Sequence, residues 1–243
     1  MRTGAAAALL AALTVATSSI GGCRKGDLFR QYEYEEEIYL SLDGSATVYI
    51  NASVAALDAL RGATFDTSPN ARIDRERVRA WFTTPVTRVT RRPSLSRRGG
   101  RQLVHVRLEV DNVARLSDAL PFAWSSYRFT KEGEVFVYRQ TVGQAAPTLV
   151  GDVGWKGQEL VAFRLHLPST VVYHNAGAGN LERGNILVWE QRLTDRLRGE
   201  PLALDARIES QSILSRTLLL FGATLVAVAL TFGVILWWVL RRT

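Results

Sequence analysis

From Thr217 to Leu240 the chain runs 24 residues without a charged side chain. At the α-helical rise that stretch is ~36 Å long, enough to cross ~30 Å of hydrocarbon with some tilt. Nothing else in the sequence offers a surface that would cover so many apolar residues, so a buried core helix is rejected. A transmembrane helix is expected over 214–240. Trp237 and Trp238 lie near one end of it, where amphipathic rings favour the membrane–water interface. Arg241 and Arg242 follow directly, against Arg216 alone on the other side. The excess of positive charge places the short tail 241–243 in the cytoplasm and the preceding domain outside.

The other end agrees. Arg2 is followed by small and apolar residues from Gly4 to Ile20, and then by Gly21-Gly22-Cys23. The apolar run Ala5 to Ala16 is too short to span a bilayer and reads as a signal sequence. Small residues before a cysteine are what lipoprotein processing requires, so 1–22 is read as a lipoprotein-type signal peptide and Cys23 as the lipidation site. The alternative is an ordinary signal peptide with a coincidental cysteine. One acyl signal anchors weakly, whereas a transmembrane helix anchors irreversibly. A lipid on Cys23 would therefore pin the N-terminus of the domain to a bilayer that already holds its C-terminus. The expected location is the cytoplasmic (inner) membrane, single-pass, since an apolar helix is not an outer-membrane barrel strand. Cys23 is the only cysteine, so no disulfide is expected. The sequon Asn51-Ala52-Ser53 is read as chance.

Between the anchors lies an extracytoplasmic domain over 23–213. Of the 30 basic residues, four (Arg2, Arg216, Arg241, Arg242) belong to the ends, leaving 26 against 23 acidic ones. That balance is not a nucleic-acid binder's, and the location excludes one. The charge is uneven. Ten arginines fall between Arg72 and Arg101, against Asp74 and Glu76 alone, while Glu33, Glu35, Glu36 and Glu37 form an acidic run. Two readings of the basic stretch stand side by side: a solvated helix and hairpin, or contact with anionic headgroups or a partner through Arg88, Arg91, Arg92, Arg97, Arg98 and Arg101.

Alternation of apolar and polar residues predicts a hairpin over Gln31–Ser53, turning at Asp43-Gly44-Ser45. A short helix is predicted over Val54–Arg61, ended by Gly62, and a second over Ala71–Phe82. Pro85–Arg92 and Gln102–Val110 read as a second hairpin, flanking a loop that holds Pro93, Gly99 and Gly100. Asp111 or Asn112 caps a helix over Val113–Leu120 that stops at Pro121. A third hairpin turns at Lys131-Glu132-Gly133 between Ser126–Thr130 and Val135–Val142. Leu160–Leu167, Asn185–Leu193 and Leu202–Ile208 read as further strands. The fold class is therefore α+β: a mainly antiparallel β-sheet built from hairpins, two or three short helices, and one C-terminal transmembrane helix.

Signs of chemistry are few. His105, His166 and His174 fall in three different elements, and no metal-ligand spacing, nucleophile motif or phosphate loop occurs. No catalytic residue, metal or cofactor is assigned. The aromatic residues Trp81, Phe82, Phe122, Trp124, Phe136, Phe163 and Trp189 are either plain core or the walls of an apolar pocket able to take an acyl chain.

In the order and spacing of several segments the sequence resembles the LppM-type lipoprotein domain family. These are Gly22-Cys23; Ile38-Tyr-Leu-Ser-Leu-Asp-Gly-Ser-Ala-Thr-Val; Val104-His-Val-Arg-Leu-Glu-Val-Asp-Asn-Val-Ala-Arg-Leu; Leu165 to Gly179; Gly184-Asn185-Ile-Leu-Val-Trp189-Glu; and the final apolar helix with its basic pair. The resemblance covers nearly all of the mature chain. It implies an envelope lipoprotein domain of mixed α/β structure, a lipid or glycolipid ligand, and no catalytic residues. The Arg-rich loop from Pro93 to Arg101 is a departure from it. The expectation is a non-enzymatic, membrane-anchored bacterial envelope domain that binds lipid or glycolipid at the membrane surface. The rivals are an interaction protein that docks another envelope protein through its Arg-rich face and, further off, an envelope hydrolase with a site assembled from distant residues.

Overall fold

A computed structural model describes residues 30–241, except 69, 178, 183, 184 and 212, and leaves the side chains of 213–216 undescribed. The expected signal peptide over 1–22 and Cys23 lie outside the described residues. The unit considered below begins at Tyr32.

β1 (Tyr32–Leu40) and β2 (Ala46–Ser53) form the first hairpin, with Leu40 opposite Ala46. Asp43 closes the turn by accepting from the amide and hydroxyl of Ser45, and Gly44 takes the left-handed conformation the turn needs. α1 (Val54–Arg61) starts where Ser53 caps the Ala56 amide. It stops at Gly62, whose φ of 70° frees its N–H to cap the last turn. α2 begins at Arg75 and ends at Phe82, later than the expected start at Ala71, because Asp74 supplies the cap to the Glu76 amide.

The second hairpin is present, but the loop expected over 93–101 is itself mostly strand and a tight turn, and the strand expected over Pro85–Arg92 shrinks to two residues. Short edge strands β3 (Arg88–Val89) and β4 (Ser94–Arg98) both pair with β5 (Arg101–Val110). Arg98 lies opposite Arg101, so Gly99 and Gly100, both at positive φ, make a two-residue turn of the type that matches strand twist. The predicted helix over Val113–Leu120 is two 3₁₀ turns, Val113–Asp118 and Leu120–Phe122. Asn112 caps the first, and Pro121 sits within the second, where it interrupts α-helical pairing. β6 (Ser125–Glu132) and β7 (Val135–Val142) turn at Gly133-Glu134, one residue beyond the expected position.

β8 (Leu160–His166), β9 (Val171–His174), β10 (Leu181–Glu182), β11 (Ile186–Arg192), the short α3 (Leu193–Leu197) and β12 (Leu202–Glu209) complete the domain. There are two sheets rather than one. The larger runs β10-β11-β8-β1-β2-β5-β3, with β4 also on β5; the smaller runs β6-β7-β12-β9. Pairing is antiparallel except between β1 and β8, which are parallel because the chain reaches β8 by crossing over from the smaller sheet. One hydrophobic cluster joins both sheets, with Ile38, Ile50, Val106 and Phe163 from the larger and Tyr138, Leu204 and Ile208 from the smaller. The α+β class holds, with mixed but mostly antiparallel sheets. α4 (Ile213–Leu240) follows β12 after three residues and includes the 24-residue apolar span, none of it buried.

Candidate functional site: an arginine-lined edge

Strand geometry sorts the arginines of the β4–β5 hairpin onto two faces. Successive residues alternate, so Arg97 shares a face with Leu95, while Arg98 shares the opposite face with Ser94 and Ser96. Arg98 donates to the Tyr32 carbonyl at 2.5 Å. Arg101, only 12% exposed, is held 3.0 Å from Glu33, 3.0 Å from the Gly154 carbonyl and 4.0 Å from Glu159. It straps the connection 143–159 onto β1. Arg88 pairs with Glu109 across β3 and β5 at 3.0 Å. Three of the six arginines expected to meet a headgroup or partner are thus engaged within the domain. Arg91 and Arg97 have no carboxylate within 4.0 Å among the described residues, and Arg92 lies 3.5 Å from Glu76 with both side chains exposed.

Arg92 and Arg97 meet two further arginines of the basic stretch that the expected contact set did not include. Arg72 and Arg75, from the approach to α2 and its first residue, line with them a cleft of about 640 Å³ between α2 and β4. Gln102 on β5 fixes its base by donating to the Ala71 carbonyl at 2.6 Å. Among the described residues Arg72 and Arg75 also have no carboxylate within 4.0 Å. Asp74 is the acid in the lining, and its carboxylate already accepts from the Glu76 amide at 2.9 Å. The signal in the sequence was the density of arginine. What was not legible was that residues 72–75 and 92–97 face one another.

The seven aromatic residues are distributed otherwise. Phe82, Phe122, Phe163 and Trp189 are buried in the core, and Trp81, Trp124 and Phe136 are half-buried against it. None lines the arginine cleft or a neighbouring cleft of about 280 Å³ bounded by Ser53, Asp66 and Asp152. Trp124, Phe122 and Tyr34 surround the Arg61 guanidinium, their ring centres 4.5–4.8 Å from its carbon. Trp189 donates its indole N–H to Asn175 at 2.9 Å.

Arg61 belongs to the most deeply buried polar cluster, which lies between the two sheets. Its guanidinium is 2.6 Å from Glu36 on β1 and donates to the Pro121 carbonyl. Glu36 also accepts from Tyr34 at 2.9 Å, Tyr127 at 2.9 Å and Gln140 at 3.0 Å, and Tyr138 bonds Gln140 at 2.8 Å. Burial pushes the Glu36 carboxyl up to about 7, against the pull of the Tyr127 and Gln140 hydrogen bonds, and pushes Arg61 down to about 9. With every group enclosed, this cluster joins the sheets and has no access to a ligand.

The histidines are engaged one by one. His166 bonds Glu37 at 2.5 Å and stacks on Tyr39, and His174 bonds the Ala176 carbonyl at 3.0 Å. His105 lies between Asn51, 2.9 Å from Nδ1, and Ser96, 2.8 Å from Nε2. With Nδ1–H given to Asn51 Oδ1, Nε2 accepts the Ser96 hydroxyl. That is the order of a nucleophile, a base and an orienting group. The electrostatics oppose that use. Asn51 offers an imidazolium no counter-charge, and burial together with the nearby Arg98 holds His105 below its ordinary range. The row laces β4, β5 and β2 together on their outer face. Among the described residues no three His, Cys, Asp or Glu side chains converge as metal ligands.

No family model matches the chain, and no curated protein does. Among solved structures, the NMR structure of the folded domain of LppM from Mycobacterium tuberculosis is similar at 17% identity, over 77% of this chain and 95% of that one, with a TM-score of 0.39.

Proposed function

We propose that the chain is a membrane-anchored envelope lipoprotein domain that binds a lipid or glycolipid at the bilayer surface, on the extracytoplasmic side, without doing chemistry on it. The observation that carries this reading is the junction of β12 and α4. The last strand of the domain ends at Glu209, and the helix that includes the apolar span begins at Ile213. The backbone is held almost to that point, since Ser169 donates to the Gln211 carbonyl and Glu209 N–H to the Thr170 carbonyl. Three connecting residues reach at most ~11 Å, so the domain cannot leave the neighbourhood of the headgroups. The basic pair after the span and the export signal before the domain support the assigned side.

The test is lipid profiling of the full-length chain, extracted from its membrane in mild detergent. One lipid class should be enriched well above its share of the bulk membrane. A profile that simply mirrors the bulk sinks the reading and favours a protein partner.

A further inference from the structure

We infer that the cleft between α2 and β4 is a site for a phosphate-bearing lipid headgroup, gripped by Arg72, Arg75 and Arg97 and closed at one side by Arg92. This deepens the reading above and rests on it for the source of the phosphate. Four guanidiniums line one cleft against Asp74, whose carboxylate is already committed to capping α2. Like charges gathered at this density repel one another unless an anion is shared between them. Three of the four have no carboxylate within 4.0 Å among the described residues, while Arg88, Arg98 and Arg101 on the same hairpin are each engaged within the domain.

The residue type points to phosphate. A planar guanidinium presents paired N–H donors that match two oxygens of a tetrahedral anion, and several such forks around one anion are a phosphate's preferred surroundings. The cleft is wide and open to solvent, so a headgroup carried on a larger molecule can reach the guanidiniums without first entering a closed pocket. Ile73 and Leu95, partly buried at the base, offer apolar contact to the carbon skeleton beside the phosphate. The site is also held in place. Gln102 ties its α2 side to β5 through the Ala71 carbonyl, and the Gly99-Gly100 turn fixes β4, so the ordering left to binding is that of the exposed arginine side chains.

The test uses the full chain in uncharged detergent micelles, titrated with phosphatidylglycerol, with phosphatidylcholine and with lipid-free glycerol phosphate, and read by native mass spectrometry. The wild type is compared with the triple variant Arg72→Gln/Arg75→Gln/Arg97→Gln. A second triple, Arg115→Gln/Arg128→Gln/Arg192→Gln, removes the same charge from exposed positions elsewhere. Circular dichroism checks that all three fold alike. The cleft variant should bind phosphatidylglycerol at least tenfold more weakly, with the other triple close to wild type. Equal weakening of both triples would mean charge alone is at work and would overturn the site. Phosphatidylglycerol bound preferentially but equally by wild type and cleft variant would also overturn it, while leaving the lipid-binding reading intact. Cleft-dependent capture of glycerol phosphate with no preference for phosphatidylglycerol would overturn the lipid source, and the lipid-binding reading with it.

Discussion

Arg61 and Glu36 show how much one buried pair can carry. Both are fully enclosed, and the pair spans the gap between the larger sheet and the turn at Pro121. Replacing Arg61 with methionine leaves a carboxyl buried without its counter-charge, which costs roughly 3–5 kcal/mol. The pH dependence follows from the direction of the Glu36 shift. Its folded value lies above the unfolded one, so between about 4.5 and about 7 the folded chain holds a proton that the unfolded chain has released. Stability from this group is full below that window and falls as pH rises through it. Thermal melts of Arg61→Met should therefore lie below wild type, and the gap should widen from pH 5 to pH 8. A gap that stays constant with pH would refute the role given to Glu36. The acidic run was visible in the sequence. That Glu36 alone of Glu35, Glu36 and Glu37 turns into the core follows from strand alternation, but its arginine partner lies 25 residues away on a helix end and left no local mark.

At the level of elements, turn chemistry was the legible part. The Asp-Gly turn of the first hairpin and the Gly62 end of α1 are local signals, and they held because side chain and backbone needs coincide there. Pairings between distant strands were not legible, since β1 and β8 carry apolar alternation that would suit either direction. Within the second hairpin, residues 93–101 were read as a loop because Pro93 and Gly99-Gly100 mark an edge strand and a tight turn as readily as a loop. One close approach is directly testable. Gly143, just after β7, donates to the Trp124 carbonyl at 2.7 Å, and a Cβ there would sit 2.4 Å from that oxygen. Gly143→Ala must push apart the ends of β6 and β7, at a cost of about 1–3 kcal/mol. Its melt should drop by several degrees, and an unchanged melt would show that the contact is looser than described.

For the whole molecule, the two proposed anchors separate cleanly by experiment. If Cys23 is acylated, the N-terminal peptide of the full-length chain should carry the mass of the lipid, and Cys23→Ser should abolish that increment. An unmodified Cys23 in the membrane-extracted chain would refute lipidation and leave α4 as the remaining proposed anchor. The apolar span was readable without a structure, because length and charge decide it; the expected signal peptide lies outside the described residues. The arginine cleft needed coordinates, because its two halves, residues 72–75 and 92–97, belong to different elements. The join between β12 and α4 has a further consequence. Three residues lie between strand and helix, and the strand's end is bonded back to Ser169 and Thr170. A tether of that length reaches at most ~11 Å. Wherever α4 travels, the foot of the last strand is on a short leash behind it.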